Sequence, residues 1–81
     1  MKLAVRLFAR ARDLADAERV ELEIPDAARI GDVRAALGER YPALRPVIPN
    51  LLFAIDHEYA ADSQPVPPAA EIACFPPVSG G

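Results

Sequence analysis

The sequence predicts an α+β fold in which a small mixed sheet packs against one main helix. Three observations carry this. Apolar residues alternate with polar ones at Leu3, Val5, Leu7 and again at Val20, Leu22, Ile24, the period of a strand with one buried face. From Ile30 the spacing changes to that of a helix, through Ile30, Val33 and Leu37. Nine prolines, clustered at 42–49 and 65–77, divide the rest into short elements.

The first strand covers residues 2–8, with Ala4, Arg6 and Phe8 on its mixed face. Residues 9–17 are rich in Ala, Arg and Asp but have no strong apolar stripe, so an irregular, partly helical connection around Leu14 is expected. The second strand ends at Pro25, and its wet face holds Glu21 and Glu23. The helix runs over 30–40 and stops before Pro42. Its N-cap position falls on Ala28 or Arg29, neither of which can accept the first amide protons, so Asp26 is the candidate for capping a longer start. Gly31 in the first turn marks either a close approach of the helix to the sheet or nothing.

Residues 42–50 form a loop with one short turn through Leu44–Val47. A strand follows at 51–55, with Leu52, Phe53 and Ile55 expected to be buried, and Asp56-His57-Glu58 turns it into a hairpin toward Tyr59 and Ala60. Residues 61–70 show no pattern; Ile72–Phe75 form the last strand, closed by Pro76. Packing the helix across one face of the sheet, with the last strand beside the first and emerging at an edge of the molecule, gives the ubiquitin-like β-grasp arrangement, by analogy of fold rather than from periodicity.

Length and composition restrict the function. At 81 residues there is room for one domain and one small core, with residues 76–81 as a protruding tail. The net charge of −3 leaves no general attraction for a phosphate backbone, and no apolar run approaches the roughly 18 residues that span a bilayer, so neither nucleic acid nor membrane is expected as a partner. No Lys or Arg follows Arg45, and this acidic half suits a basic partner. One cysteine, Cys74, excludes an internal disulfide and a multi-cysteine metal site, and points to a reducing cytoplasm.

The ending Pro76-Pro77-Val78-Ser79-Gly80-Gly81 is the candidate for chemistry. Two prolines leading into two glycines present a carboxylate on a thin stalk that fits a narrow slot on another protein. A carboxylate is inert until adenylation makes it an acyl anhydride that a sulfur donor or an amine can attack. A frayed end is the competing reading of the same residues. Cys74 reads as a buried small hydrophobe rather than a nucleophile, and His57, between Asp56 and Glu58, as a hydrated bend rather than a ligand; no metal site is expected. Arg6, Arg10 and Arg12 lack the glycines of a nucleotide loop and read as solvated charge or partner salt bridges. Phe8 and Phe75, if the first and last strands are adjacent, share a face and offer anchors for a partner, with core burial as the alternative.

This ending resembles that of the family of molybdopterin synthase small subunits, the MoaD-type ubiquitin-like sulfur carriers. Val5-Arg6-Leu7-Phe8-Ala9-Arg10, Ile30-Gly31-Asp32-Val33, Tyr41-Pro42 and Phe53 to Tyr59 extend the similarity over essentially the whole chain. The resemblance implies a cycle with no permanently bound cofactor. An adenylating enzyme of the ubiquitin-activating type uses ATP to convert the Gly81 carboxylate to an acyl adenylate, and a sulfur donor system turns it into a thiocarboxylate. The tail then enters the large subunit of molybdopterin synthase, in a heterotetramer of two small and two large subunits, and donates sulfur to cyclic pyranopterin monophosphate. In that reading Gly81 is the carrier and Gly80 its clearance, and the chain is a co-substrate subunit rather than a self-sufficient enzyme. Pro76, Pro77, Val78 and Ser79 thread the partner, Phe8 and Phe75 supply apolar contact, and Arg10 and Glu71 polar contact.

The chain departs from the family pattern at Arg29, where Thr is usual, at Asp56, where Asn is usual, and at Ala69-Ala70-Glu71, where Gly-Asp-Glu is usual; the last exchange bears on the turn before the final strand and on acidic contact with the activating enzyme. A carrier of the same fold serving thiazole, tRNA, amino-acid sulfur transfer or protein conjugation, and a noncovalent β-grasp module, are the alternatives.

Overall fold

The computed structural model describes residues 1–77. Five strands form one sheet in the order β2-β1-β5-β3-β4, where β1 is Lys2–Leu7, β2 Arg19–Glu23, β3 Leu52–Ile55, β4 Glu58–Ala60 and β5 Ile72–Phe75. β1 pairs antiparallel with β2 and parallel with β5, while β3 runs antiparallel to both β5 and β4. The last strand therefore lies in the middle of the sheet, with Leu7 beside Cys74 and Leu52 beside Phe75.

Helix α2, Ile30–Arg40, covers one face of this sheet. Ile30, Val33 and Leu37 are fully buried against Leu3, Val5, Leu7, Leu22, Phe53, Ile72 and Cys74. Removing such side chains from water stabilises by about 1.5–3 kcal/mol each, which makes this single interface the main source of stability. No helix among the described residues is long and apolar enough to cross a membrane.

The stretch expected to be an irregular, partly helical connection is helical throughout Ala9–Ala15, the short helix α1, entered through Ala9 at φ 54°. Its three alanines and two arginines favour helix strongly, and only Ala11 is fully buried, so the apolar stripe is too narrow to show as periodicity. Asp16 ends it in the left-handed conformation (φ 54°), with Asp16 N–H donating to the Asp13 carbonyl and Ala17 N–H to that of Arg12. This is the double bond pattern of a Schellman cap.

The start of α2 is also capped differently from expectation. Asp32 reaches back to accept the Arg29 N–H at 2.8 Å, and the 61–64 loop supplies the rest: the Ile30 N–H donates to the Gln64 carbonyl (3.0 Å) and the Gly31 N–H to that of Asp62 (2.9 Å). Asp26 takes no part and lies 3.4 Å from the terminal amine of Met1. A Cβ at Gly31 would sit 3.4 Å from the Asp62 carbonyl oxygen, so the close approach is to this loop and not to the sheet. Arg34 fastens the same region. Its Nη1 donates to the carbonyls of Ile48 (2.6 Å) and Leu51 (2.9 Å), its Nε and Nη2 reach Asp62 Oδ1, and its guanidinium lies over the Phe53 ring.

Two further differences are local. Residues 42–50 contain two single 3-10 turns, Pro42–Leu44 and Ile48–Asn50, instead of one. Leu51 is buried and Leu52 is 36% exposed, because Leu52 sits opposite Phe75 on the sheet face that α2 does not cover. The β3–β4 hairpin turns at Asp56 (φ 48°) and His57 (φ 75°), the two positive φ values of a type I′ turn. The turn before β5 is kept although glycine is absent, with Ala69 itself at φ 61°.

Candidate functional site

The sheet face opposite α2 has no helix over it, and alternation assigns its residues. β1 contributes Ala4 and Arg6, β5 Ala73 and Phe75, β3 Leu52 and Ala54, and β4 Tyr59, all out of phase with the core residues. Register then builds rows: Arg6, Ala73, Ala54 and Tyr59 are successive neighbours across four strands, and Phe75 pairs with Leu52. Phe8 continues past the end of β1, where its N–H donates to the Cys74 carbonyl at 3.2 Å.

These rows enclose a shallow depression of about 310 Å³ lined by Phe8, Ala54, His57, Tyr59, Glu71, Ala73 and Phe75. Phe8 is 43% and Tyr59 71% exposed, and with Leu52 these are the exposed large apolar side chains among the described residues. Tyr59 and Phe75 rings meet at 5.7 Å, tilted by 57°, and Arg6 approaches the Phe8 ring at 5.9 Å. Aromatic walls around a floor of small alanines make a shape into which an apolar side chain would fit.

Glu71 stands at the rim. Its N–H donates to Asp56 Oδ1 and its carbonyl accepts from the Asp56 N–H, both at 2.9 Å, so the hairpin turn and the start of β5 hold each other. The contact needs only an acceptor at position 56, and Asp meets it as an amide oxygen would. β5 then runs along this face to Phe75, half-buried Pro76 and exposed Pro77, which is where the described chain leaves the sheet. Val78, Ser79, Gly80 and Gly81 lie outside the described residues.

The structure thus places Phe8, Phe75 and Glu71 around one depression, with Phe75 leading into Pro76 and Pro77 at one end of β5 and Glu71 at the other. Arg10 is exposed on α1 and is not among the residues lining the depression. Arg12 lies 3.9 Å from Asp13 and from Glu18, an internal pairing. Tyr59, Leu52, Ala54 and Ala73 belong to the face and were not legible as such. Their assignment follows from the β3–β5 register, which no local pattern discloses, although an aromatic at Tyr59, next to a hairpin turn, was a usable signal.

Cys74 lies on the other side of β5, fully buried in the core. Burial pushes its thiol up to about 12, with the charge of Arg34 opposing in part, so it is a packed hydrophobe and not a nucleophile. Among the described residues no group of three or more His, Cys, Asp or Glu is placed to hold a metal ion. A larger hollow of about 590 Å³ lies toward β2 on the same face, but its lining mixes Lys2, Arg6 and Arg19 with Glu18, Glu21 and Glu71 and has no apolar anchor.

Comparison with known proteins agrees with this architecture. The ThiS family model matches residues 5–81. The chain is 32% identical over 83 residues to the molybdopterin synthase sulfur carrier subunit of Chlamydomonas reinhardtii, covering all of both chains. It is 33% identical to that of Arabidopsis thaliana, covering all of this chain and 84% of the relative. Among solved structures, SAMP1 from Haloferax volcanii superposes with a TM-score of 0.86 at 29% identity, over the full length of both.

Proposed function

Because this chain belongs to the ThiS family, a ubiquitin-like β-grasp sulfur-carrier protein linked to the molybdopterin pathway, we propose that it is the sulfur carrier subunit of molybdopterin synthase. In this reading Gly81 is adenylated at the expense of ATP, converted to a thiocarboxylate, and offered to cyclic pyranopterin monophosphate inside a large subunit. The observation that carries it is the position of β5. A central strand, anchored on both sides by hydrogen-bonded neighbours, delivers Pro76 and Pro77 from the rim of the one face that exposes aromatic side chains among the described residues.

The physical logic is a division of labour. The rigid sheet fixes where the tail starts, and the aromatic patch supplies binding energy remote from the reacting atom, which holds the terminal group in place for attack. Phe8 and Phe75 anchor the partner, Glu71 and Arg10 contribute polar contacts at and beyond the rim, and Pro76 and Pro77 limit the entropy lost when Val78, Ser79 and Gly80 thread a channel. A thiocarboxylate is a better sulfur nucleophile than a carboxylate, and acyl attachment keeps it from escaping. The partners are the large subunit, an adenylating enzyme and a sulfur donor.

Intact-mass measurement tests this. The full chain, incubated with its adenylating enzyme, ATP and a sulfur donor, gains roughly 16 Da as oxygen is replaced by sulfur, and a chain lacking Gly81 gains nothing. A chain that stays unchanged with demonstrably active partners refutes the reading. The likeness to SAMP1, a small archaeal modifier, supports a second reading in which the same activated end forms isopeptides with other proteins; transfer to lysines in place of pterin sulfuration would establish it.

A further inference from the structure

An activated C-terminal acyl group is an acyl donor to any amine or thiol within reach, including those of its own kind, and the surface of this protein is depleted of both. Its nine Lys and Arg residues are eight arginines and Lys2. A guanidinium stays protonated and does not attack acyl carbon, whereas an amine does. The one thiol, Cys74, is buried beneath β5. The α-amino group of Met1 donates to the Ile24 carbonyl at 2.6 Å and lies 3.4 Å from Asp26 Oδ1 and 4.0 Å from Glu23 Oε2, on a residue whose side chain is 17% exposed. Masking by burial and by ion pairing thus accounts for every strong nucleophile except one.

That one is Lys2, exposed at the start of β1 with Glu23 as its cross-strand neighbour. It borders the open hollow of about 590 Å³, part of which is formed by the small side chains Ala4, Ala69 and Ala70. Such a floor admits a narrow backbone to the amine. We infer that Lys2 is the position at which this protein is open to acylation by the activated end of a second copy, so that carrier deprived of its sulfur donor is captured as a Gly81–Lys2 isopeptide dimer. The inference rests on the carrier reading above.

The strand directions set the start of the tail apart from Lys2. β5 runs parallel to β1 with Cys74 beside Leu7, so the chain leaves the sheet at the Leu7 end. Lys2 is five residues back along β1, about 17 Å at roughly 3.3 Å per residue, in the direction opposite to that in which β5 travels. In the reaction the free amine Nζ attacks the carbonyl carbon of the Gly81 acyl adenylate. The C–N bond forms, the C–O bond to AMP breaks with AMP keeping the electron pair, and the amine proton passes to solvent. No oxidant or reductant is involved.

Two arms test it. In the first, full-length protein bearing a Gly81 thioester of a small thiol is incubated at about pH 8.5. In the second, unmodified protein is incubated with the adenylating enzyme and ATP without a sulfur donor, and chain-dependent ATP–pyrophosphate exchange is followed. The expected product in both is a species of roughly twice 8.7 kDa whose tryptic digest joins residues 1–6 to the C-terminal segment through Lys2. The Lys2→Arg variant loses this species while keeping full exchange. Dimer that persists in Lys2→Arg, a linkage mapped to the Met1 amine, a Gly81–Lys2 linkage within a single chain, or a thioester that only hydrolyses overturns the inference. Absence of chain-dependent exchange overturns the carrier reading itself, and this inference with it, whatever the thioester arm gives.

Discussion

Arg34→Met is the substitution whose cost the structure specifies best. Methionine keeps an unbranched apolar stem and removes the guanidinium, which lies over the Phe53 ring and whose Nη1 holds the Ile48 and Leu51 carbonyls at 2.6 and 2.9 Å. Both bonds are partly buried and charge-assisted, worth roughly 1.5 kcal/mol or more each. The pair with Asp62 adds little, under about 1 kcal/mol, because that carboxylate is 57% exposed. Since the bonds share one group and are not additive, the net loss should be about 3 kcal/mol. A chain of this length has about 4–12 kcal/mol of stability in all. Urea unfolding, at a slope of about 1 kcal/mol per molar, should therefore show the midpoint falling by about 2–3 M. Asp62→Asn should cost no more than about 1 kcal/mol. A midpoint for Arg34→Met within about 0.5 M of the parent, or an Asp62→Asn loss as large as that of Arg34→Met, refutes the claim that the carbonyl clamp ties α2 to the start of β3.

Ala69→Gly should stabilise by about 0.5–1 kcal/mol, seen as a rise in melting temperature, since the left-handed φ of 61° costs an alanine more than the entropy that glycine adds to the unfolded chain. Phe8→Ser, at a 43% exposed position, should leave the melting temperature nearly unchanged while weakening binding to the large subunit by roughly 30-fold in a titration, the loss expected of an aromatic anchor. Cys74 should resist iodoacetamide in the folded protein and react only on unfolding. Its folded thiol, pushed up to about 12, binds a proton that the unfolded thiol, with a value of 9.0, releases. The contribution is thus fully present below about pH 9 and is lost as pH rises toward 12, so unfolding free energy should decline across that interval in alkaline titration.

Local rules were enough for some elements and not for others. The bounds of α2 could be read because Ile30, Val33 and Leu37 recur at helical spacing and Pro42 follows. β1 and β2 could be read because Leu3, Val5, Leu7, Val20 and Leu22 alternate without interruption. α1 could not, because its buried face narrows to Ala11 and its formation depends on alanine propensity and a cap at Asp16, neither of which leaves a period. Leu51 and Leu52 are chemically identical, and only the pairing of Leu52 with Phe75 decides which of them faces outward.

The candidate site divides in the same way. The expectation for its tail, Phe75 to Gly81, rests on the residues themselves, on proline stiffness and the small size of glycine, and Val78 to Gly81 lie outside the described residues. The family, too, follows from the chain alone. The aromatic face is different in kind: Ala54, Tyr59 and Phe75 come from three strands and Phe8 from just past the end of β1, and they meet only because β5 inserts parallel to β1 and antiparallel to β3. The cap of α2 by the Asp62 and Gln64 carbonyls and the clamp of Arg34 are likewise contacts between segments some 14 to 34 residues apart. Periodicity and propensity act within a few residues, so the sequence by itself determined β1, β2, α2 and the family, while register, capping by distant loops and the aromatic face were decided only when the sheet closed around its last strand.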